Sequence, residues 1–467
     1  MPTAGKPPTQ RFRGLQVLLA GLLAALGLNL ALAATAAAAQ PAAPCQVGAY
    51  RLADGQVVDV GPTDGGLRWR RFDGATGKLT ATGGAWTSTL GWTDRPDGLK
   101  VGFGSCAAGT LDFAGQPGRR IPLVSRETSF VSHGMTLKGR LVLPPGRAPV
   151  AVVVLLQGSE MSSARDFDPL QRLLPAAGVG AFVYDKRGTG ASGGEYTQDF
   201  DLLADDAVAA LAAARRLAGP RATRFGFQGP SQGGWVAPMA AARSAVDFVI
   251  VSFGLAVSVA QEDQEAIAFQ MRLKGYGPQV IAKAQRIGAA AATVFGSGFT
   301  RGFERFEAVR DQYRAEPWFK DVQGNFTHVF LGMSAQDLRS AGAKYRWGTP
   351  LDYDPMPTLE RLATPQLWIL GGLDIDAPSA ETVRRLDGLI ARRRPITLAV
   401  YPGAEHGMTE FETRPDGERA STRYAAGYFR LMRDFARDGR LCPRYGAAQF
   451  HPALTSAARR PADCPRG

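Results

Sequence analysis

The sequence predicts an α/β protein: a mostly parallel sheet with helices on both faces, preceded by a small all-β domain. Three observations carry that expectation. Apolar runs of strand length recur from residue 150 onward with helical patterns between them, as in a parallel sheet covered on both sides. Residues 45–120 instead alternate in short segments punctuated by turn dipeptides. Between about 256 and 355 the rhythm breaks into helix-like, aromatic-rich sequence with no clear strand, which predicts an insertion between two sheet strands.

The elements follow in chain order. Lys6, Arg11 and Arg13 precede an apolar run from Gly14 to Ala39 that carries no acidic residue. This reads as a secretory signal over 1–39, with small-residue cleavage options such as Ala31-Leu32-Ala33. The run is also long enough for an uncleaved membrane anchor. Cys45 follows Pro44, a poor match to a lipoprotein cleavage box. The expected location is therefore periplasmic or extracellular, or membrane-anchored if the signal stays attached.

From 45 to 120, segments such as QVVDV, GLRWRRF, KLTAT and LKVGF lie between hairpin signals at Asp54-Gly55, Asp73-Gly74 and Asp97-Gly98. The stretch AGQPGRRIP marks a boundary at about 114–122. The α/β domain is expected over 121–440. It opens with an edge hairpin, FVSHGMTLKGRLVLPPG, and continues with the uniformly apolar VAVVVLL at 150–156, a strand buried on both faces. AFVYD, RFGFQ, DFVIVS, LWILGG and ITLAVY are the further strands. The helix FDLLADDAVAALAAARRLAG stops at Gly219-Pro220. Residues 441–467 form a C-terminal tail.

Four cysteines suit an exported chain and allow three pairings. The two local ones, Cys45–Cys106 and Cys442–Cys464, would each staple a segment with little core of its own. There is no C-x-x-C and no H-E-x-x-H, so no metal is implied. The formal charge is +12, or +9 once the three basic signal residues are removed. The basic clusters are scattered without a nucleic-acid motif, which leaves at most a loose attraction to anionic membrane surfaces. Oligomeric state is not readable.

The chemistry centres on GPSQG at 229–233, which fits G-x-S-x-G, the turn that lifts a serine hydroxyl clear of a sheet. In a chain with 56 glycines the pattern alone is weak. Its surroundings decide. A triad in this sheet type runs Ser, then acid, then His, each at a strand's C-terminal end. Ser231 follows RFGFQ, Asp374 follows LWILGG, and His406 follows ITLAVY. Of the other histidines, His133 falls in the edge hairpin, His328 in the insertion and His451 in the tail. Asp376 is the rival acid, but Asp374 stands closer to the strand end. The expected roles are nucleophile for Ser231, general base for His406 and orienting acid for Asp374. The oxyanion donors are expected to be the backbone amides of Gln232, just after the serine, and Ser159, in the loop after VAVVVLL.

With these residues in hand, the chain from about 128 to 438 resembles the α/β-hydrolase superfamily. More narrowly, it is similar to secreted bacterial members of the serine aminopeptidase and dienelactone-hydrolase-like group. The matching stretches are F-x-S-x-G-x-T-L-x-G-x-L, VYDKRGTGASGG, GPSQGGW, and the GGLD and AEHG loops. The resemblance implies an α/β-hydrolase fold with a variable helical cap, and hydrolysis of esters, thioesters or amides without a cofactor. One departure stands out: where the family usually has His-Gly before the oxyanion loop, this chain has Gln157-Gly158.

GTGASG at 188–193 fits a dinucleotide fingerprint, but a polar spacer separates it from the next helix, so Asp185, Arg187 and Ser192 read as a structural loop beside the site. Phe295, Phe299, Phe303, Phe306, Trp318, Phe319, Tyr345 and Trp347 in the insertion read mainly as helix packing, with some forming an apolar lid. The expected function is hydrolysis of a small-molecule carboxylic ester through an acyl-enzyme. The alternatives are an aminopeptidase or other amide or thioester hydrolase, and, in another class, a non-catalytic envelope binding protein.

Overall fold

Residues 44–452 and Cys464 are described in the computed structural model. The expected signal segment lies outside them. Among the described residues, no helix is long and apolar enough to cross a membrane.

The first eight strands are β1 (Gly48–Leu52), β2 (Val57–Thr63), β3 (Gly66–Arg71), β4 (Thr76–Thr82), β5 (Ala85–Leu90), β6 (Pro96–Phe103), β7 (Thr110–Phe113) and β8 (Gln116–Arg120). They form a closed barrel, sealed where β8 pairs back onto β1. Closure removes the edges that would otherwise expose unpaired backbone groups. The interior is filled by alternate residues, among them Tyr50, Val58, Val60, Leu67, Trp69 and Leu79. A disulfide joins Cys45 to Cys106.

A nine-stranded sheet follows, built from β9 (Val124–Ser132), β10 (Met135–Leu143), β11 (Val150–Leu155), β12 (Gly180–Tyr184), β13 (Ala222–Pro230), β14 (Phe248–Ser252), β15 (Gln366–Gly371), β16 (Ile396–Tyr401) and, late in the chain, β19 (Gln449–His451). The order is β19-β16-β15-β14-β13-β11-β12-β10-β9. The six central strands are parallel, and β9–β10 and β19 add antiparallel edges. Every residue of β11, β12, β14 and β15 is buried, which is why their sequences read as unbroken apolar runs.

Side chains of β11 alternate between two cores. Val152 and Val154 pack on the face covered by α3 (Phe200–Ala218), α4 (Gly233–Ala242) and α11 (Ala380–Ala391). Val153 and Leu155 face α1 (Ala164–Phe167), α2 (Leu170–Ala176) and α12 (Tyr428–Asp438). Phe429, Leu431, Met432 and Phe435 of α12 are all buried there, each contributing about 1.5–3 kcal/mol. Between β14 and β15 the chain is helical: α5 (Val259–Leu273), α6 (Pro278–Gly296), α7 (Phe303–Tyr313), α8 (Thr327–Phe330), α9 (Ala335–Ala341) and α10 (Met356–Arg361). Its aromatics do pack on one another, with Phe295, Phe299, Phe330 and Tyr345 in mutual ring contact.

Two features depart from the sequence reading. Residues 441–452 are more than a stapled tail. Cys442, disulfide-bonded to Cys464, and Tyr445 are buried, Tyr445 Oη donates to Asp434 (2.8 Å), and β19 covers the open edge of β16. A hairpin, β17 (Thr409–Thr413) and β18 (Arg419–Tyr424), also stands directly after His406 as a separate two-stranded sheet.

Barrel and α2 meet at a buried ion cluster. Asp59 on β2 is fully buried, 3.3 Å from Arg70 and 2.5 Å from Arg172 of α2. Removing the carboxylate would take from Arg70 and Arg172 the buried ionic partner they share. Asp59→Ala is therefore expected to lower unfolding free energy by about 3–5 kcal/mol, measured by urea denaturation.

Candidate active site

The serine's geometry is set by its backbone. Ser231 leaves β13 at φ +49°, a left-handed conformation that non-glycine residues rarely adopt. The turn is pinned on both sides: Ser231 N–H donates to the Ser252 carbonyl (3.0 Å), and Gly234 N–H donates to the Ser231 carbonyl (2.7 Å). Flanking glycines make it sterically feasible. A Cβ at Gly229 would lie 2.0 Å from the Gly233 carbonyl oxygen, and one at Gly233 would lie 3.0 Å from that of Gln157. The serine thus sits between the C-terminal end of a buried strand and the N-terminus of the buried helix α4.

The parallel sheet delivers the other two groups to the same end. Asp374 follows β15 and His406 follows β16. His406 Nε2 lies 3.1 Å from Ser231 Oγ, and His406 Nδ1 lies 2.9 Å from Asp374 Oδ2. A carboxylate only accepts, so Nδ1 carries a proton and Nε2 is left to accept from the serine hydroxyl. The other Asp374 oxygen accepts the amides of Asp376 (3.0 Å) and Ala377 (2.7 Å), which fixes the carboxylate plane. Asp376, the rival acid, therefore braces Asp374 through its backbone. Phe253 contacts the imidazole edge-on at 4.8 Å between ring centres.

Burial opposes a charged imidazole, but Asp374, helped by Asp376 and Glu262, overrides it and holds the pKa of His406 above its ordinary value. About a quarter of the side chain (27 %) is accessible, enough for a substrate to reach it.

The loop after β11 lies beside the serine, as the Gln157–Gly233 approach shows. Gln157 ties this loop down on both sides of its amide. Its Oε1 accepts Lys186 N–H (3.1 Å), and its Nε2 donates to the Ser162 carbonyl (3.0 Å). Lys186 Nζ donates to the Gly158 carbonyl (2.6 Å), and Tyr196 Oη donates to that of Ser159 (2.6 Å). With these carbonyls held, Ser159 is exposed at the loop tip. Gln232 occupies the N-cap of α4, where an amide has no partner within its own helix. Burial pushes the Lys186 amine down to about 8.

The GTGASG segment is structural in its contacts. Buried Asp185 accepts from Ser163 Oγ (2.8 Å), Arg165 N–H (3.1 Å) and Ala191 N–H (3.1 Å). Ser192 Oγ donates to the Asp185 carbonyl (2.6 Å), and Arg187 pairs with buried Asp206.

Several residues at the site carry no motif that sequence reasoning could have used. Glu262 of α5 faces His406 and Asp374, and burial pushes its carboxyl up to about 8. Asn325 Nδ2 donates to the Asp376 carbonyl (2.8 Å), and Gln270 Nε2 to that of Ile375 (3.1 Å). The helical segment between β14 and β15 thus touches the loop that holds the acid.

The family of serine aminopeptidases, S33, matches residues 147–414, more than half of the chain. The chain belongs to that family, within the α/β-hydrolase superfamily. No curated protein matches it. Solved structures similar to this S33 chain include an esterase of Pyrococcus furiosus (15 % identity, covering 61 % of this chain and 84 % of that one, TM-score 0.40). An acylaminoacyl peptidase of Pyrococcus horikoshii is 14 % identical over 82 % of this chain and 55 % of its own, with TM-score 0.40. A proline iminopeptidase of Mycobacterium smegmatis is 17 % identical over 60 % and 91 %, with TM-score 0.37. At such distances these likenesses carry nothing about this S33 protein's substrate.

The electrostatics of His406 can be checked directly, because the chain has only four histidines. Its imidazole is expected to titrate above the ordinary value of 6.5. In Asp374→Asn it should fall, since burial then acts with less opposition. In the native protein the pair contributes stability in full below the unfolded-state pKa, and that contribution is lost as pH rises through the higher folded one. Histidine NMR titration of both proteins reads the shift.

Proposed function

We propose that this S33 protein is an exported serine hydrolase that cleaves carboxylic esters through an acyl-enzyme. The observation that carries the reading is the Ser231 hydroxyl, raised on a left-handed turn and 3.1 Å from an imidazole that is itself oriented by a buried carboxylate. In the first step Ser231 Oγ attacks the ester carbonyl carbon while His406 Nε2 takes its proton. Asp374 stabilises the imidazolium that forms. The oxyanion is met by the amides of Gln232 and Ser159. His406 then gives the proton to the departing alkoxide, and water repeats the sequence to release the acid.

Helices α5–α10 act as the cap, supported by the contacts of Gln270 and Asn325 with the acid loop. The two disulfides are compatible with export. An aminopeptidase is the second reading, favoured by the family's description. A non-catalytic binding role would leave the strained serine and its hydrogen-bonded partners without a purpose.

Ser231→Ala and His406→Ala are each expected to cut turnover by about 10⁴-fold or more, with the double variant little worse than either. The assay is a p-nitrophenyl ester chain-length series run beside aminoacyl-nitroanilides. Faster turnover of the anilides would replace the ester reading with the peptidase one, and additive losses would contradict the triad.

A further inference from the structure

The barrel has no evident part in the chemistry above, yet a short chain of contacts runs from it to the site. We infer that the barrel acts on catalysis through the β17–β18 hairpin, with Arg419 as the positioning residue that ties the acid loop to the base loop. This rests on the proposed roles of Ser231, Asp374 and His406.

Arg419 lies at the start of β18. Its Nη1 donates to the Leu373 carbonyl (2.6 Å) and stands 3.7 Å from Glu405 Oε2. Leu373 immediately precedes Asp374, and Glu405 immediately precedes His406. One guanidinium therefore bridges the residues that lead into the acid and the base. The side chain is largely enclosed, 15 % accessible, and stacks on Phe411 of the same hairpin at 4.1 Å. Glu405 is held from its other oxygen as well, by Ser421 Oγ (2.7 Å) and Thr409 Oγ1 (3.3 Å), both hairpin residues. The two loops also meet through backbone, Leu373 N–H to the Ala404 carbonyl (2.9 Å).

A two-stranded hairpin is marginal in water and needs a surface to lie on. Here the barrel supplies much of that surface, beside a ring contact of Tyr424 with Phe429 of α12 at 4.8 Å. Trp92 N–H donates to the Ser421 carbonyl (2.8 Å), and Tyr424 N–H donates to that of Gly74 (2.9 Å). Ser421 thus receives the barrel on its backbone and passes the contact to Glu405 through its hydroxyl. The approach is close enough to require glycine: a Cβ at Gly91 would lie 2.4 Å from the Thr422 carbonyl oxygen, and one at Gly74 would lie 2.3 Å from that of Tyr424. Trp92 adds an edge-on contact to Tyr424 at 5.3 Å and itself lies under Arg68 at 4.4 Å. Arg95 pairs with Glu412 at 2.5 Å, and Arg423 donates to the Asp73 carbonyl (2.7 Å). A displacement of about 1 Å at reacting groups can cost on the order of 10²-fold in rate, so a brace on both loops matters to turnover more than to substrate affinity.

The test uses the mature full-length protein and the rate at which a fluorophosphonate modifies Ser231, which needs no knowledge of the substrate. Arg419→Met keeps the stem over Phe411 but loses both polar contacts, and should react about 10-fold or more slowly. Arg419→Lys keeps a charge and a donor and should recover part of that loss. A filler role would erase that order, with Met as good as Lys or better. Trp92→Ala, on the exposed rim of the barrel, should slow the reaction several-fold. With p-nitrophenyl acetate, kcat should fall in all three while KM stays within about twofold. Thermal melts establish that each variant is folded, and Arg419→Lys with Trp92→Ala decides the matter if Arg419→Met does not fold. Wild-type protein unmodified at Ser231 would overturn the reading of the site itself. Modified wild type with Arg419→Met and Trp92→Ala at the wild-type rate would overturn only the coupling to the barrel.

Discussion

The site depends on one backbone constraint, the left-handed turn at Ser231 between β13 and α4. A non-glycine residue held there costs on the order of 1–2 kcal/mol, so the surrounding structure must over-determine it. It does so on three sides. The Ser252 carbonyl on neighbouring β14 takes the serine's N–H, α4 is buried along nearly its whole length, and the Gln157 carbonyl closes against Gly233. The same closeness that forces glycine at 229 and 233 brings the loop containing Ser159 beside the hydroxyl. Strain, the presentation of the serine hydroxyl and the approach of the proposed oxyanion loop are consequences of one turn.

Around that turn the charges are arranged asymmetrically. Asp374 is almost fully enclosed yet takes two backbone amides and the imidazole, so its carboxylate is well satisfied. Glu262 faces the same ring, and burial pushes its carboxyl up. The Asp374 carboxylate is satisfied by three hydrogen bonds, whereas desolvation dominates at Glu262.

Much of this was legible in the sequence because burial leaves a plain signature. β11 and β15 are covered on both faces and read as continuous apolar runs, and a parallel sheet sends successive strand ends to one side, so the order Ser231, Asp374, His406 implied a meeting point. Gln157, where the resemblance led one to expect histidine, ties down the loop after β11 through both ends of its amide. The residues that escaped notice act through tertiary placement. Glu262 comes from a helix whose pattern speaks only of packing, and Asn325 from the bend just before α8. Arg419 lies in a segment whose Asp416-Gly417 dipeptide, with Gly417 at φ +83°, carried the same hairpin signal used in the barrel, but its partner surface is more than 300 residues away in sequence. The barrel's closure was equally hidden, since pairing of β1 with β8 is non-local and has no turn to announce it.

The central claim is that Ser231 becomes covalently acylated with His406 as its base. The most direct measurement is the mass of the protein mixed with a slowly hydrolysed p-nitrophenyl ester, quenched in acid and digested for peptide mapping. The account predicts a gain of one acyl group, located on the peptide containing Ser231, lost on further incubation and not formed in His406→Ala. An acyl group mapped to another residue, or ester turnover with no covalent adduct on a peptide that retains Ser231, would contradict it.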